Sequence, residues 1–196
     1  MSHALPDAST SAAGRLVRFF TVSQARELGI LLTLSVMFPF MVHLVPVPGD
    51  GQLGPRLLPM FYAPLLAALW GRTRSGVALA LVAPWLNWVL TSHPAPPGAV
   101  VASVELLGFV LAARFLLAEV GARWFLAAPA FLAAKAASIC LAGLVPGLIA
   151  HQPVFAWAAR GIVVGAPGIA ILLLINWLVV RFYPPAAAGG GGPAAA

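Results

Sequence analysis

Residues 54–98 read GPRLLPMFYAPLLAALWGRTRSGVALALVAPWLNWVLTSHPAPPG, and this stretch decides the fold. It holds two uncharged apolar segments, 57–70 and 77–91, joined by a short basic turn and followed by a loop rich in proline and glycine. Both segments are short for a membrane span, and both contain proline. A proline inside a helix frees a backbone carbonyl that lipid cannot satisfy. We therefore expect this hairpin to lie inside a bundle of helices, with one end shaping a pocket.

The composition predicts a membrane protein. Of the 196 residues, 61% are hydrophobic and only 8% are charged, whereas a soluble domain has about 25% charged residues. The formal net charge is +6 at pH 7. Its basic residues flank the apolar segments, as membrane topology requires. The charge therefore indicates a lipid bilayer and no nucleic acid as the partner.

The apolar runs predict an all-α integral membrane protein, a bundle of six transmembrane helices. The spans are expected at residues 27–45, 57–70, 77–91, 100–117, 124–149 and 155–182. Residues 1–14 form a disordered N-terminal tail in this prediction, residues 15–183 the membrane domain, and residues 184–196 a low-complexity C-terminal tail. Residues 15–20 are expected to form a short amphipathic helix at the membrane surface.

The basic residues also predict the orientation. Six spans put both termini on one side of the membrane, and eight of the eleven lysines and arginines fall on that side. They are Arg15, Arg18, Arg26, Arg72, Arg74, Arg114, Arg123 and Arg181. Cytoplasmic loops carry an excess of Lys and Arg, so we expect both termini to be cytoplasmic.

The hairpin resembles the S component of energy-coupling factor (ECF) transporters, the small membrane subunit that binds a vitamin or a related micronutrient. The matching residues are Leu58-Pro59-Met60, Gly71 and Gly76, Ala83-Pro84, Leu90-Thr91, Pro94 to Pro97, and Glu105-Leu106 with Gly108. The resemblance covers residues 25–118, and beyond them only hydrophobic pattern and length agree. It implies a subunit in a bacterial inner membrane that captures solute at the outer side. The implied partners are an energising transmembrane subunit and two cytoplasmic ATPases.

A row of small residues, Ala25, Gly29 and Thr33, recurs at every fourth position of the first span. Such rows let helices approach closely in lipid. In S components a row of this kind on the first helix docks onto the energising subunit, although the family more often has alanine at both leading positions. The resemblance implies the same coupling role here.

Polar residues inside the apolar segments are candidates for a solute site, because intramembrane polar groups are costly. Asn87 and Glu105 are both expected roughly 7–8 Å below the outer end of their spans. They are predicted to share one outward-facing pocket with Trp85, Trp88 and Thr91.

Three interpretations of Glu105 stay open. It binds a hydroxyl, amine or amide of the solute, or it forms a hydrogen bond between helices, or it pairs with Arg160 or Arg56 at the outer rim. Lys135 is expected about 13 Å deeper than Glu105, too far for an ordinary ion pair. It acts as a counter-ion for a solute carboxylate or has a structural role.

Two residues near the expected outer mouth complete the set of candidates. Trp157 either anchors the membrane interface or contributes to the pocket. Arg56 lies in the loop 47–56, and in S components this loop caps the substrate. Asn176 is expected much deeper, where it would join helices.

No catalytic signature occurs in the sequence: there is no H-E-x-x-H, no G-x-S-x-G and no phosphate-binding P-loop. Only five acidic residues are present. We therefore predict no enzyme, no cofactor and no metal site. The alternative to a transport subunit is a non-transporting membrane scaffold or assembly protein, in which the buried polar residues serve helix packing only.

Overall fold

The computed structural model describes residues 21–44, 53–145, 147–149 and 152–184, and every regular element in them is helical. The helices are α1 (Val22–Leu44), α2 (Leu53–Leu57), α3 (Tyr62–Leu69), α4 (Thr73–Thr91), α5 (Pro96–Val120), α6 (Ala127–Leu144), α7 (Val154–Val164) and α8 (Ala166–Phe182), with a 3-10 turn at Pro59–Phe61. The predicted tail 1–14, the predicted surface helix 15–20 and residues 185–196 lie outside the described residues.

Three helices of the described part are long and apolar enough to cross a membrane: residues Val22–Val42 of α1, α5 and α6. The bent pair α7 and α8 adds a fourth if it counts as one span. Pro59–Leu69 is a shorter apolar helix. The all-helical class and the presence of apolar spans are thus confirmed. The count of six spans and the cytoplasmic termini stay predictions.

Helix α5 lies at the centre and packs against α3, α4 and α6. The core between these helices is aromatic, since the Phe61 ring centroid lies 5.2 Å from that of Phe109 and 5.4 Å from that of Phe131. Close approach of α5 and α6 depends on Gly108, where a Cβ would lie 3.1 Å from the Cβ of Ala137. The packing of α5 and α6 therefore leaves no room for a larger residue at 108 without a shift of α6.

The basic turn of the hairpin is shorter than the sequence indicated. Gly71 has a φ of +73°, a conformation that favours glycine, and α4 already begins at Thr73. Gly76 consequently lies inside α4 rather than in the turn. A Cβ there would be 2.8 Å from Val110, so glycine permits the contact of α4 with α5.

The predicted second span, 57–70, consists of two short elements. Leu58 has a φ of +53°, in the left-handed region that costs a non-glycine residue roughly 1–2 kcal/mol. The 3-10 turn follows at once, and the hydroxyl of Tyr62 donates a hydrogen bond to the Leu57 carbonyl. Pro64 occupies the first turn of α3, where a missing N–H leaves no helical hydrogen bond unmade.

The predicted sixth span, 155–182, is broken. Helices α7 and α8 are bent by 57° at Gly165, and Pro167 follows in the first turn of α8. Gly168 lies close to the backbone of Leu57, since a Cβ at position 168 would be 2.6 Å from the carbonyl carbon of Leu57. A proline start and a close backbone contact thus place α8 against α2.

Candidate functional site

A cavity of about 260 Å³ lies between α4, α5 and the segment that precedes α3. Its lining is mostly apolar, and its polar side chains are Asn87, His93 and Glu105. The remaining lining residues are Pro39, Gly54, Pro55, Leu58, Pro59, Met60, Phe61, Pro94, Gly98 and Ala102. The cavity thus forms where α4 ends and α5 begins, which we call the cavity end of the bundle.

Asn87 presents a buried acceptor that has no partner in the described part of the chain. Its Nδ2 donates to the carbonyl of Ala83 at 3.0 Å and to that of Ser35 at 3.4 Å. These two carbonyls assign the amide orientation, because only the NH₂ group can donate to both. Oδ1 is buried and accepts no hydrogen bond from the described residues. Leaving such an atom unsatisfied costs about 1–3 kcal/mol.

A second cavity, of about 370 Å³, lies between α5, α6 and α7. Its lining residues are Gly98, Val101, Ala102, Glu105, Lys135, Leu148, Ile149, Gln152 and Trp157. Three of them, Gly98, Ala102 and Glu105, also line the first cavity. Their spacing of four and three residues puts them on one face of α5. Glu105 therefore lies between the two cavities.

Glu105 and Lys135 form a buried ion pair, with 2.7 Å between Oε1 and Nζ. The expected gap of 13 Å in depth is wrong because the helix boundaries differ. Helix α5 begins at Pro96 rather than at residue 100, and α6 ends at Leu144 rather than at 149. Glu105 is then nine residues after the start of α5, and Lys135 is nine residues before the end of α6. Each lies about 13 Å from the cavity end.

The interpretation that paired Glu105 with an arginine at the rim is therefore wrong. Arg56 is exposed on α2 and Arg160 is exposed on α7. Neither is among the described residues that line the two cavities. The expected capping loop, 47–56, includes the short helix α2 at its end, and residues 47–52 lie outside the described part. Gly54 and Pro55 of this segment line the first cavity, whereas Arg56 does not.

Aromatic rings and a glycine surround the Lys135 ammonium. Its Nζ lies 5.5 Å from the ring centroids of both Phe131 and Trp157. On the side of α7, a Cβ at Gly161 would come within 3.3 Å of Nζ. Trp157 thus lines the second cavity beside the ammonium, and the glycine at 161 leaves room for it.

Trp88 and Thr91 lie close to the first cavity in sequence but are not among its described lining residues. Trp88 is turned about 100° away from Asn87 around α4, and its ring packs edge-on against Trp85 at 6.1 Å. The Thr91 hydroxyl lies 2.7 Å from the Asn87 carbonyl oxygen and 2.9 Å from that of His93. The expected pocket therefore brings Asn87 and Glu105 together without Trp88 and Thr91.

Asn176 joins elements at the opposite end of the bundle. Its fully buried Nδ2 donates to the carbonyl of Arg123 at 2.8 Å and to the carbonyl of Trp124. These carbonyls belong to the connection between α5 and α6. The predicted structural role of Asn176 agrees with this geometry.

The row Ala25, Gly29 and Thr33 lies exposed on α1. Apart from its chain neighbours and the adjacent backbone of α1, no described atom lies within 4 Å of a Cβ built at Gly29, and the Thr33 hydroxyl donates to the Gly29 carbonyl at 2.9 Å. This face of α1 is therefore not covered by the described part of the chain.

The sequence indicated Asn87 and Glu105 but not the wall between the cavities. The proline-rich residues 94–99 predict a loop, which leaves Gly98 outside the helix that contains Ala102 and Glu105. In a helix that begins at Pro96, Ala102 lies one turn and Gly98 two turns before Glu105 on the same face. Proline is favoured in the first turn of a helix, and this preference was the signal that could have identified them.

Among the described residues, no group of three or more His, Cys, Asp and Glu is arranged to hold a metal ion. Comparison of the chain with protein-family models, curated proteins and solved structures finds no match. Function is therefore inferred from the two cavities and the side chains that line them.

Proposed function

We propose that this protein is the solute-binding membrane subunit of an ECF-type micronutrient importer. The observation that carries the proposal is the buried Asn87 Oδ1, which has no partner within the described residues and belongs to a residue lining the first cavity. Of the buried side-chain atoms in that condition, it is the one whose residue lines either cavity. Buried polar groups are rarely left unsatisfied, and polar groups inside apolar spans usually face a ligand pathway.

The distribution of charge supports capture of the solute from outside. Arg72 pairs with Glu27 at the start of α1, and Arg123 lies in the connection that Asn176 contacts. Both belong to the end of the bundle opposite the cavities. Arginine-rich ends face the cytoplasm, so in the inner membrane of a bacterium the cavities face outward.

The exposed row on α1 is the proposed docking surface for the energising transmembrane subunit. Helices associate in lipid through close van der Waals contact between small residues, and the space around Gly29 is open. Two cytoplasmic ATPases then supply the energy for solute release, since the chain has no nucleotide-binding motif of its own.

Extraction of bound small molecules tests the binding role. The wild-type protein, purified in mild detergent, is denatured, and the released solutes are identified by mass spectrometry. We expect a solute from the wild type, none from Asn87→Leu, and an unchanged amount from Thr91→Val, the control at the same end of α4. A wild-type protein that releases no solute from cells grown in rich medium contradicts the proposal.

Coupling is tested separately by Gly29→Leu. A bulky side chain on the exposed face blocks close helix approach but lies far from both cavities, so uptake is lost while solute binding is retained. Gly143→Leu is the matched control, because Gly143 also has open space around it but lies on α6. Normal uptake by the Gly29 variant would exclude this docking surface.

The alternative, a non-transporting scaffold or assembly protein, is supported by polar groups that bond within the bundle. Glu105 and Lys135 bond to each other, and the Asn176 Nδ2 donates to backbone carbonyls, as packing residues do. The scaffold predicts that Asn87→Leu changes the melting temperature while no solute is released from either protein. The transport subunit predicts a change in bound solute.

A further inference from the structure

The two cavities lie on either side of one narrow strip of α5. Where they meet, the wall consists of Gly98, Ala102 and Glu105, so two of its three residues have almost no side chain. The volumes of about 260 and 370 Å³ together fall in the range of ligand pockets, roughly 300–1,000 Å³. One elongated solute can therefore extend across the strip and occupy both cavities.

The first cavity offers hydrogen-bond acceptors, so a solute that binds there must supply the donors. Asn87 Oδ1 is an acceptor without a partner in the described part of the chain. Glu105 accepts the hydrogen bond from Lys135 through Oε1, and a carboxylate has a second acceptor oxygen, Oε2. Apart from Asn87, Glu105 and His93, the wall is apolar, with Pro59, Met60 and Phe61 among its residues. These features fit an apolar body that carries hydroxyl, amide or ring N–H groups.

The second cavity offers the Lys135 ammonium as a donor, so a solute that binds there must supply an acceptor. The Lys135 ammonium has three donors, and within the described residues it donates one hydrogen bond, to Glu105. Its other near neighbours are the rings of Phe131 and Trp157, which attract the charge but accept no conventional hydrogen bond. An anionic acceptor such as a carboxylate forms a charge-assisted hydrogen bond with an ammonium, about twice as strong as a bond between neutral groups, and it would approach through the second cavity.

We propose that the solute is a carboxylate whose apolar body carries hydrogen-bond donors. The body lies in the first cavity with its donors on Asn87 and Glu105, and the carboxylate crosses Gly98 and Ala102 to reach Lys135. Lys135 then lies between two carboxylates, while the donors of the solute stabilise Glu105. This assignment rests on the proposed function, because it assumes that the two cavities bind a solute.

Matched pairs of probes test the carboxylate. Each pair keeps the body and its donors and removes the charge: biotin with biotinamide, pantothenate with panthenol, and indole-3-acetate with indole-3-acetamide. Binding to the detergent-purified protein is measured by titration calorimetry. We expect at least one carboxylate to bind with a Kd below about 1 mM and roughly tenfold or more tightly than its neutral partner.

Two double variants test whether the preference for a carboxylate over its neutral partner depends on Lys135. The double variant Glu105→Gln/Lys135→Met removes both charges without leaving one buried alone, and we expect it to bind the two members of each pair equally. The double variant Glu27→Gln/Arg72→Met, at the exposed pair of the opposite end, is the control and should keep the wild-type preference.

Three outcomes overturn the assignment: no carboxylate of the three binds below about 1 mM, a neutral partner binds as tightly, or the preference survives in the Lys135 variant. The proposed function has a separate readout in the released solutes. Release of an uncharged solute refutes the carboxylate assignment but agrees with the proposed function as an importer subunit. Absence of any released solute, together with no binding of any probe, refutes both.

Discussion

Two ion pairs lie at opposite ends of this bundle, and their surroundings differ far more than their lengths. Glu105 and Lys135 are 2.7 Å apart, with side chains only 9% and 11% exposed. Glu27 and Arg72 are 3.1 Å apart, with side chains 24% and 51% exposed. The first pair borders both cavities, and the second lies beside the turn between α3 and α4.

The difference in exposure determines how much each ion pair contributes to stability. An exposed pair contributes about 0–1 kcal/mol, because water screens the charges. In a buried pair, the attraction between the charges offsets the free energy of desolvation only in part. Replacing both residues by apolar residues of similar volume often leaves the stability unchanged or raises it. A buried pair within apolar helices therefore adds little net stability, which agrees with the role in solute binding proposed above.

The largest expected effect comes from removing one charge of the buried pair. Lys135→Met leaves the Glu105 carboxylate buried alone and should lower the free energy of unfolding by about 3–5 kcal/mol. Glu105→Gln/Lys135→Met should be close to wild type. The measurement is reversible unfolding in detergent micelles. Equal stability of the single and double variants would show that the pair is open to water.

A smaller effect is expected from keeping the charge and changing the shape. Lys135→Arg puts a larger, planar group against Trp157 and Gly161 and should cost about 1–3 kcal/mol by overpacking. The matched change, Arg72→Lys, should have little effect at its exposed site. Unfolding of the two variants side by side checks this. If Lys135→Arg unfolds like the wild type, the ammonium is less confined than the contact with Gly161 implies.

The smallest effect is expected at the exposed pair. Arg72→Met should lower the free energy of unfolding by at most about 1 kcal/mol, and the difference should shrink further at 1 M salt because ions screen exposed charges. The buried pair should not respond to salt in this way. Unfolding of wild type and variant at low and high salt measures both. A salt-independent loss would mean that the arginine acts through packing.

The candidate site was predictable from the sequence only in part. Asn87 and Glu105 were identifiable because polar residues inside apolar runs are rare and costly. The pairing of Glu105 with Lys135 was not, because the proline-rich residues 94–99 read as a loop. A displacement of each helix end by four or five residues changes a depth by more than one helical turn, about 5.4 Å. That error separated two residues that are in contact.

The positions at which two of the predicted spans are interrupted were also not predictable from the local sequence. The second and sixth predicted spans both contain proline, but a proline in the first turn of a helix costs nothing, as at Pro64. The actual breaks lie at Leu58 and Gly165. Leu58 has a backbone conformation that its side chain does not favour, so no local preference could predict it.

By itself the sequence determined the helical class, the apolar spans and the polar residues that must be buried. Hydropathy and the 3.6-residue period are local properties, so they can be read along the chain. Only the tertiary structure decided that Lys135 meets Glu105, that no described residue donates a hydrogen bond to Asn87 Oδ1, and that Gly98 and Ala102 separate two cavities. These features depend on where α5 begins, where α6 ends and how closely α7 approaches, and such distances arise from contacts between residues far apart in the chain.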